Sequence, residues 1–165
     1  MIFIRPATPE DVPIIRLLAI ATWWTNYRPI LKSEQIDYML ETMYSEEVLK
    51  NIITFKEQDF LLLLEEDKPV AFSAHSIRCE NDEIYKLHKL YCHPNYQGKG
   101  YGMLLLQEVE KLVLIKGKNI LDLNVNKYNA AKLFYERMGF EVVYEEDIPI
   151  GHFWMNDFVM RKILC

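Results

Sequence analysis

The stretch Lys86-Leu87-His88-Lys89-Leu90-Tyr91-Cys92-His93-Pro94-Asn95-Tyr96-Gln97-Gly98-Lys99-Gly100-Tyr101-Gly102 constrains the fold of this chain more than any other. Its first half suits a strand, and Pro94 ends it because proline has no N–H to donate to a ladder. Gln97 to Gly102 then leads straight into Met103-Leu104-Leu105-Leu106, the apolar opening of a helix. Strand, glycine-rich turn and helix in that order leave main-chain N–H groups free at the helix start, where the dipole is positive. Such a turn suits a phosphate group. The Lys-Ser/Thr ending of a P-loop is absent, which disfavours a nucleoside triphosphatase. Leu105 stands where a dinucleotide fingerprint needs its third glycine.

At 165 residues the chain suits a single domain, residues 1–165, around one core. Half of the residues are hydrophobic, so disorder is not expected. A formal net charge of −5 argues against a nucleic-acid partner. It is compatible with a cationic small substrate, although mild acidity also serves solubility alone. Cys79, Cys92 and Cys165 make no Cys-x-x-Cys spacing and fit free thiols in a reducing cytoplasm. The longest apolar run, Phe60-Leu61-Leu62-Leu63-Leu64, is far too short to cross a bilayer. Acidic residues, Pro9 and Pro13 occupy the region where a signal peptide needs its apolar stretch, so no membrane partner is expected.

Ile2-Phe3-Ile4-Arg5 reads as a short strand closed by Pro6. Thr8-Pro9-Glu10-Asp11 reads as a helix start, with a capping hydroxyl, an early proline and carboxylates at the positive end of the dipole. Apolar residues at helical spacing carry it to Trp23, Trp24 and Tyr27, ahead of Pro29. Two short helices follow from Ser33 and Ser45; Glu34, Asp37, Glu41, Glu46 and Glu47 make them either a solvated face or an acidic rim that gathers an amine. Strands are expected over residues 59–65, 70–78 and 83–93. Strict alternation sets Tyr85, Leu87, Lys89 and Tyr91 on one side of the last, and Ile84, Lys86, His88, Leu90 and Cys92 on the other. A helix from Gly100 to about Lys116, a strand over 119–125 and a short helix over 130–138 come next. Strands over 140–146 and 152–164 complete the chain, separated by a loop over 147–151. The pattern is α/β: a mixed sheet of about seven strands with helices on both faces.

Leu90-Tyr91-Cys92-His93-Pro94 followed by Gln97-x-x-Gly100-x-Gly102 resembles the acyl-CoA pyrophosphate loop of the GCN5-related N-acetyltransferases. A second stretch, Asn126-Lys127-Tyr128-Asn129-Ala130-Ala131-Lys132-Leu133-Phe134-Tyr135-Glu136-Arg137-Met138-Gly139-Phe140, is similar to that family's other hallmark: an asparagine, a short spacer, then Ala-x-x-Phe-Tyr-Glu-x-x-Gly-Phe. The resemblance runs from Ile4 to Lys162 and implies the family's mixed sheet, with acetyl-CoA as co-substrate. It implies that Gln97, Gly98, Lys99, Gly100, Tyr101 and Gly102 hold the pyrophosphate, Lys99 adding charge. Leu90, Tyr91 and Cys92 pair with the coenzyme like an extra strand and supply oxyanion donors. Asn126 and Asn129 meet the pantetheine arm or nearby backbone, with Phe134 beside them, and Tyr135 reaches the thioester sulfur as general acid. A phenol near pKa ~10 protonates a thiolate whose acid is near ~8.5 only mildly uphill.

Many relatives carry a glutamate at or just before the position of His88, and here the two positions are His88 and Lys86. His88 is therefore either the base or an ordinary face residue beside a water path, with Glu83 a weaker candidate. His75, His93 and His152 have no metal-binding spacing with acidic residues, so no metal is expected. Leu18-Ala19-Ile20-Ala21-Thr22-Trp23 and the tail from His152 to Met160 are similar to bacterial spermidine/spermine N-acetyltransferases. The acceptor is accordingly a small-molecule amine, and a polyamine in that reading. The side chains placed there by resemblance are Trp23, Trp24, Tyr27, Glu34, Phe153 and Trp154, suited to an alkylammonium through charge and cation–π attraction. Some relatives pair through these segments, so a homodimer is compatible. Two alternatives stay open: an enzyme acting on a protein or peptide amine, marked by an open groove beside Tyr135, and a non-catalytic acyl-CoA sensor.

Overall fold

The computed structural model describes residues 1–165. Its strands are β1 (Ile2–Pro6), β2 (Asp59–Glu65), β3 (Lys68–Ile77), β4 (Ile84–Cys92), β5 (Ile120–Asn126), β6 (Glu141–Ile150) and β7 (Phe153–Ile163). They form one sheet in the order β1-β2-β3-β4-β5-β7-β6, antiparallel at every junction except β4–β5. The helices are α1 (Val12–Tyr27), α2 (Ser33–Tyr44), α3 (Glu46–Thr54), α4 (Tyr101–Ile115) and α5 (Ala131–Arg137). None is long and apolar enough to cross a membrane.

The unbroken apolar run of β2 is explained by cover on both faces. Phe60, Leu62 and Leu64 pack against Ile15, Leu18, Trp23, Ile36, Met39 and Leu49 of α1–α3. Leu61 and Leu63 turn the other way, onto the layer of Leu105, Leu106, Val109 and Val113 of α4. Between the layers the sheet is pinned by Asp122, fully buried, which accepts two bonds from Arg161 (2.7 and 2.9 Å) and faces Arg78 at 3.2 Å. A pair of this kind fixes register more than it stabilises, because desolvating both charges offsets most of their attraction.

Two features of the sheet depart from the sequence reading. Opposite β3, Ala74 pairs with Lys89 and His75 with Leu87, so His88 is an extra residue and β4 is bulged there. The bulge reverses the alternation. Leu87, Leu90 and Cys92 face α4 and α5, whereas Lys89 and Tyr91 face α1 and α2, not the side that Tyr85 and Leu87 occupy. The region 147–151, read as a loop, is largely strand: β6 runs on to Ile150 and pairs along its length with β7. Pro149 is tolerated because β6 is the sheet's edge and needs no donor on its open side.

Candidate active site

β4 and β5 pair only from Ile84–Ile120 to Leu87–Leu123. Beyond the bulge they separate, and a gap opens through the sheet where their C-terminal halves diverge. The N–H of His93 donates to Val70 O on β3 at 2.9 Å. The two-residue period of a strand therefore turns the N–H groups of Leu90 and Cys92 into the gap. Gln97 Nε2 donates to the Cys92 carbonyl there at 3.1 Å.

Past β4, a single 3-10 turn (Pro94–Tyr96) leads to Gly98 and Gly100, with φ of +83° and +82°. Both lie in the left-handed region that favours glycine. Gly100 is the N-cap of α4 and offers no side-chain cap. As a result the six consecutive N–H groups from Gly98 to Met103 have no acceptor in the protein. Unpartnered donors in a glycine-rich turn and the helix start that follows it suit a diphosphate. The Lys99 ammonium, expected to join them, instead pairs with Glu65 at 3.0 Å. Glu65 also accepts from the Tyr101 hydroxyl, and these two bonds, Tyr101 first, hold its carboxyl below the usual range.

A groove of about 570 Å³ runs from this loop to the gap. Leu90, Tyr91, Cys92, Gln97, Gly98, Gly100, Tyr101, Gly102, Asn129, Phe134 and Tyr135 line it, as do Thr22, Asn26 and Tyr96, which the sequence did not single out. Phe134 closes against α4, its Cζ 3.5 Å from where a Cβ on Gly102 would lie. Asn129 supplies structure as well: its Oδ1 accepts from Ala131 N (2.9 Å) and its Nδ2 donates to the Tyr27 hydroxyl (3.4 Å). Asn126 is not in the groove; it accepts from Tyr128 N and lies beside Met155 in a cavity on the opposite side. Tyr135 lines both groove and gap, and its hydroxyl has no hydrogen-bond partner in the protein. Burial raises its pKa well above the ordinary phenol value, with Tyr27 adding to the effect, so it keeps its proton at neutral pH and gives it to a thiolate less readily than the ordinary phenol assumed from the sequence.

On the α1–α2 side the gap opens into a cavity of about 200 Å³. Of the six expected acceptor-site residues, Trp23 and Tyr27 line it and four do not. Glu34 is exposed, and Trp154 is 56% exposed with its carbonyl taken by Gln35. Phe153 packs on Tyr38, and Trp24 lies beneath Arg28. These four stand on the helix and hairpin faces turned away from the gap, which spacing alone does not reveal. In their place the wall carries Tyr44, Tyr91, Lys86, His88, Lys89 and Asp157.

Ser76 Oγ and His88 Nε2 are hydrogen-bonded at 2.7 Å. Burial, then Lys89 and Lys86, hold the His88 pKa down to about 3, so the imidazole is neutral. Glu83 pairs with Lys118 at 2.8 Å on the surface, away from the cavity. Asp157 is buried: its Oδ2 accepts from Asn124 at 3.2 Å, its Oδ1 has no partner, and burial raises its pKa. Nothing in the sequence marks Asp157, which reaches the cavity only through the register that sets it opposite Asn126.

Residues 27–162 match the model of the acetyltransferase (GNAT) domain. A spermidine N(1)-acetyltransferase of Thermoplasma acidophilum is 29% identical over 96% of this chain and 95% of its own. The crystal structure of the PaiA N-acetyltransferase of the same organism, in complex with coenzyme A, superposes with a TM-score of 0.85 at 30% identity, covering 99% of both chains. A GCN5-related N-acetyltransferase from Rhodopseudomonas palustris has the same fold, with a TM-score of 0.83 at 24% identity over 98% of this chain and 95% of its own. With the donor-lined loop, the split between β4 and β5 and the match along most of its length, the chain belongs to the GNAT family and is an acetyl-CoA-dependent N-acetyltransferase.

Proposed function

We propose that this enzyme acetylates a small primary amine by direct attack, with Tyr135 as general acid. Acetyl-CoA, when bound, supplies the acetyl group as a thioester. The free N–H groups of Gly98 to Met103 hold its diphosphate, and the gap-facing N–H groups of Leu90 and Cys92 bond the pantetheine arm and polarise the thioester carbonyl. The Tyr135 hydroxyl gives its proton to the departing thiolate. The amine enters from the cavity on the other side of the sheet, where the carboxylate of Asp157 takes up the proton that the attacking nitrogen gives up. His88, neutral and weakly basic, orients Ser76 and takes no proton from an ammonium.

The observation that carries this reading is the unpartnered Tyr135 hydroxyl at the junction of groove and gap. The size of the cavity, below the ~300 Å³ common for larger ligands, favours a small acceptor over a protein segment. The name of the spermidine-acetylating relative supports a polyamine as one such amine. The test is free-thiol release from acetyl-CoA with a panel of amines, comparing wild type with Tyr135→Phe. Loss of a proton donor used only in the transition state should lower kcat by about 10²- to 10⁴-fold, with acetyl-CoA affinity nearly unchanged. Weakened coenzyme binding with kcat intact would overturn the role. Binding without thiol release from any amine would leave a sensor.

A further inference from the structure

We propose that the acceptor carries an anionic group, a carboxylate or a phosphate, a few bonds from the amine that is acetylated. This rests on the acetyl-transfer reading and turns its substrate away from the polyamine that the relative's name suggests.

The cavity that receives the amine contains two lysines on one strand, neither in an ion pair; Glu146, Asp157 and Glu80 act on the charge of Lys86 from a distance, and no carboxylate acts on that of Lys89. Lys99, Lys118, Lys127, Lys132 and Lys162 all form ion pairs with glutamates. Lys86 and Lys89 form none, and unlike the other unpaired lysines (Lys32, Lys50, Lys56, Lys68, Lys111 and Lys116), which are all exposed, these two are shielded from water. Lys89 is 6% exposed, its Nζ bonded to the neutral Gln58 Oε1 at 2.7 Å and set 5.6 and 5.4 Å from the rings of Tyr44 and Phe60. An ammonium has three donors, and the protein fills one. Lys86, half-buried on the same wall, has no hydrogen-bond partner. Buried ammonium groups are found paired or neutralised, because water's stabilisation of the charge is lost. The cavity wall itself carries two cations and the single carboxylate of Asp157; Glu146 and Glu80 offset Lys86 from beyond the wall, Arg78 opposes them, and Lys89 is left with no anion at all.

That arrangement suits one ligand chemistry and opposes another. A molecule with an amine at Asp157 and an anion between Lys86 and Lys89 satisfies every unpaired charge. The aromatic and apolar wall of Trp23, Tyr44, Met43 and Met155 accepts its carbon skeleton. A polyamine adds two or three positive charges to a wall already in cationic excess. Burial also lowers the pKa of Lys89 to about 8, with Lys86 the second cause, so it is charged at neutral pH and available to an anion.

Thiol release from acetyl-CoA should be measured for matched acceptors: α- and ω-amino carboxylates, aminoalkyl phosphates, the neutral amide of each carboxylate, and spermidine. We expect at least one anionic acceptor to exceed its uncharged counterpart by tenfold or more in kcat/KM. The best arm tells carboxylate from phosphate. In Lys89→Met the preference should disappear, mainly through KM, and Lys89→Arg should restore part of it. Calorimetry of the corresponding N-acetylated product with CoA present should show binding to wild type and at least tenfold weaker binding to Lys89→Met. Amides equal to acids, or spermidine the best acceptor, would overturn this proposal while leaving acetyl transfer to an amine intact. Thiol release with no acceptor at all, in a protein that still binds acetyl-CoA, would overturn both.

Discussion

Replacing Lys89 with methionine should change the stability of the unliganded protein in a way that depends on pH. The ammonium lies on the inner face of β4, 6% exposed, and loses its proton near pH 8 instead of near the ordinary 10.5. At about 1.4 kcal/mol per tenfold change in proton affinity, the charged form in the folded protein carries a penalty of about 3 kcal/mol. Below pH 8 the lysine is charged in both folded and unfolded chains, and the penalty is present in full. Between pH 8 and 10.5 the unfolded chain binds the proton more than the folded one, so wild-type stability rises through this window. Above it the side chain is neutral in both states and the penalty is gone. Methionine has nearly the same volume and no charge, and it forfeits the Gln58 bond, about 1 kcal/mol, at every pH; the attraction of the Tyr44 and Phe60 rings acts on the charged form alone and is already contained in the shift. The variant should therefore be more stable than wild type by about 2 kcal/mol at pH 7. It should be less stable by about 1 kcal/mol at pH 10.5, a swing of about 3 kcal/mol between the two. Urea unfolding of both proteins at pH 7, 8.5, 9.5 and 10.5 measures it, since other groups titrate alike in the two and largely cancel. Parallel stability curves would refute the reasoning, for they would mean that Lys89 titrates in the folded protein as it does in water.

Three further outcomes follow from the site and its supports. Gly100→Asp should raise the Kd for acetyl-CoA at least a hundredfold by calorimetry, because a carboxylate would meet phosphate charge and a side chain at φ +82° is strained; unchanged affinity would remove the diphosphate from this loop. Gly151→Ala should lower stability by more than about 2 kcal/mol in urea unfolding, since a Cβ there would overlap the Tyr38 ring and hydroxyl at φ +62°; a stability unchanged would show that the hairpin tip yields freely. With the His88 pKa held to about 3, the pH profile of kcat/KM between 5 and 8 should keep the same inflections in His88→Gln; an inflection near 6–7 that vanishes in the variant would restore His88 as the base.

How much of this was legible in the residues differs sharply between the two sides of the sheet. The coenzyme side depends on local chain chemistry. Pro94 stops a strand, Gly98 and Gly100 permit positive φ, and a helix begins with its N–H groups free, all within ten residues of one another. Asn129, Phe134 and Tyr135 likewise belong to one short turn and helix. The proposed acceptor side is assembled from α1, α2, β4, β5 and the β6–β7 hairpin, which lie far apart in the sequence. Which faces of these elements meet is a matter of packing. Trp24 and Glu34 are chemically as suitable as Trp23, yet helix rotation turns them away.

The amino-acid order alone therefore determined the sheet-and-helix class and the glycine-rich turn at a helix start, because both follow from period and breakers that neighbouring residues carry among themselves, and two of its stretches resemble the hallmarks of the family. Tertiary structure alone decided the lining of the cavity proposed to receive the amine. One extra residue at His88 bulges β4 and turns Lys89 inward, and the β5–β7 register brings Asp157 opposite Asn126. No local pattern encodes either result, since both arise from how distant strands align, and together they set the charge on the wall of this cavity.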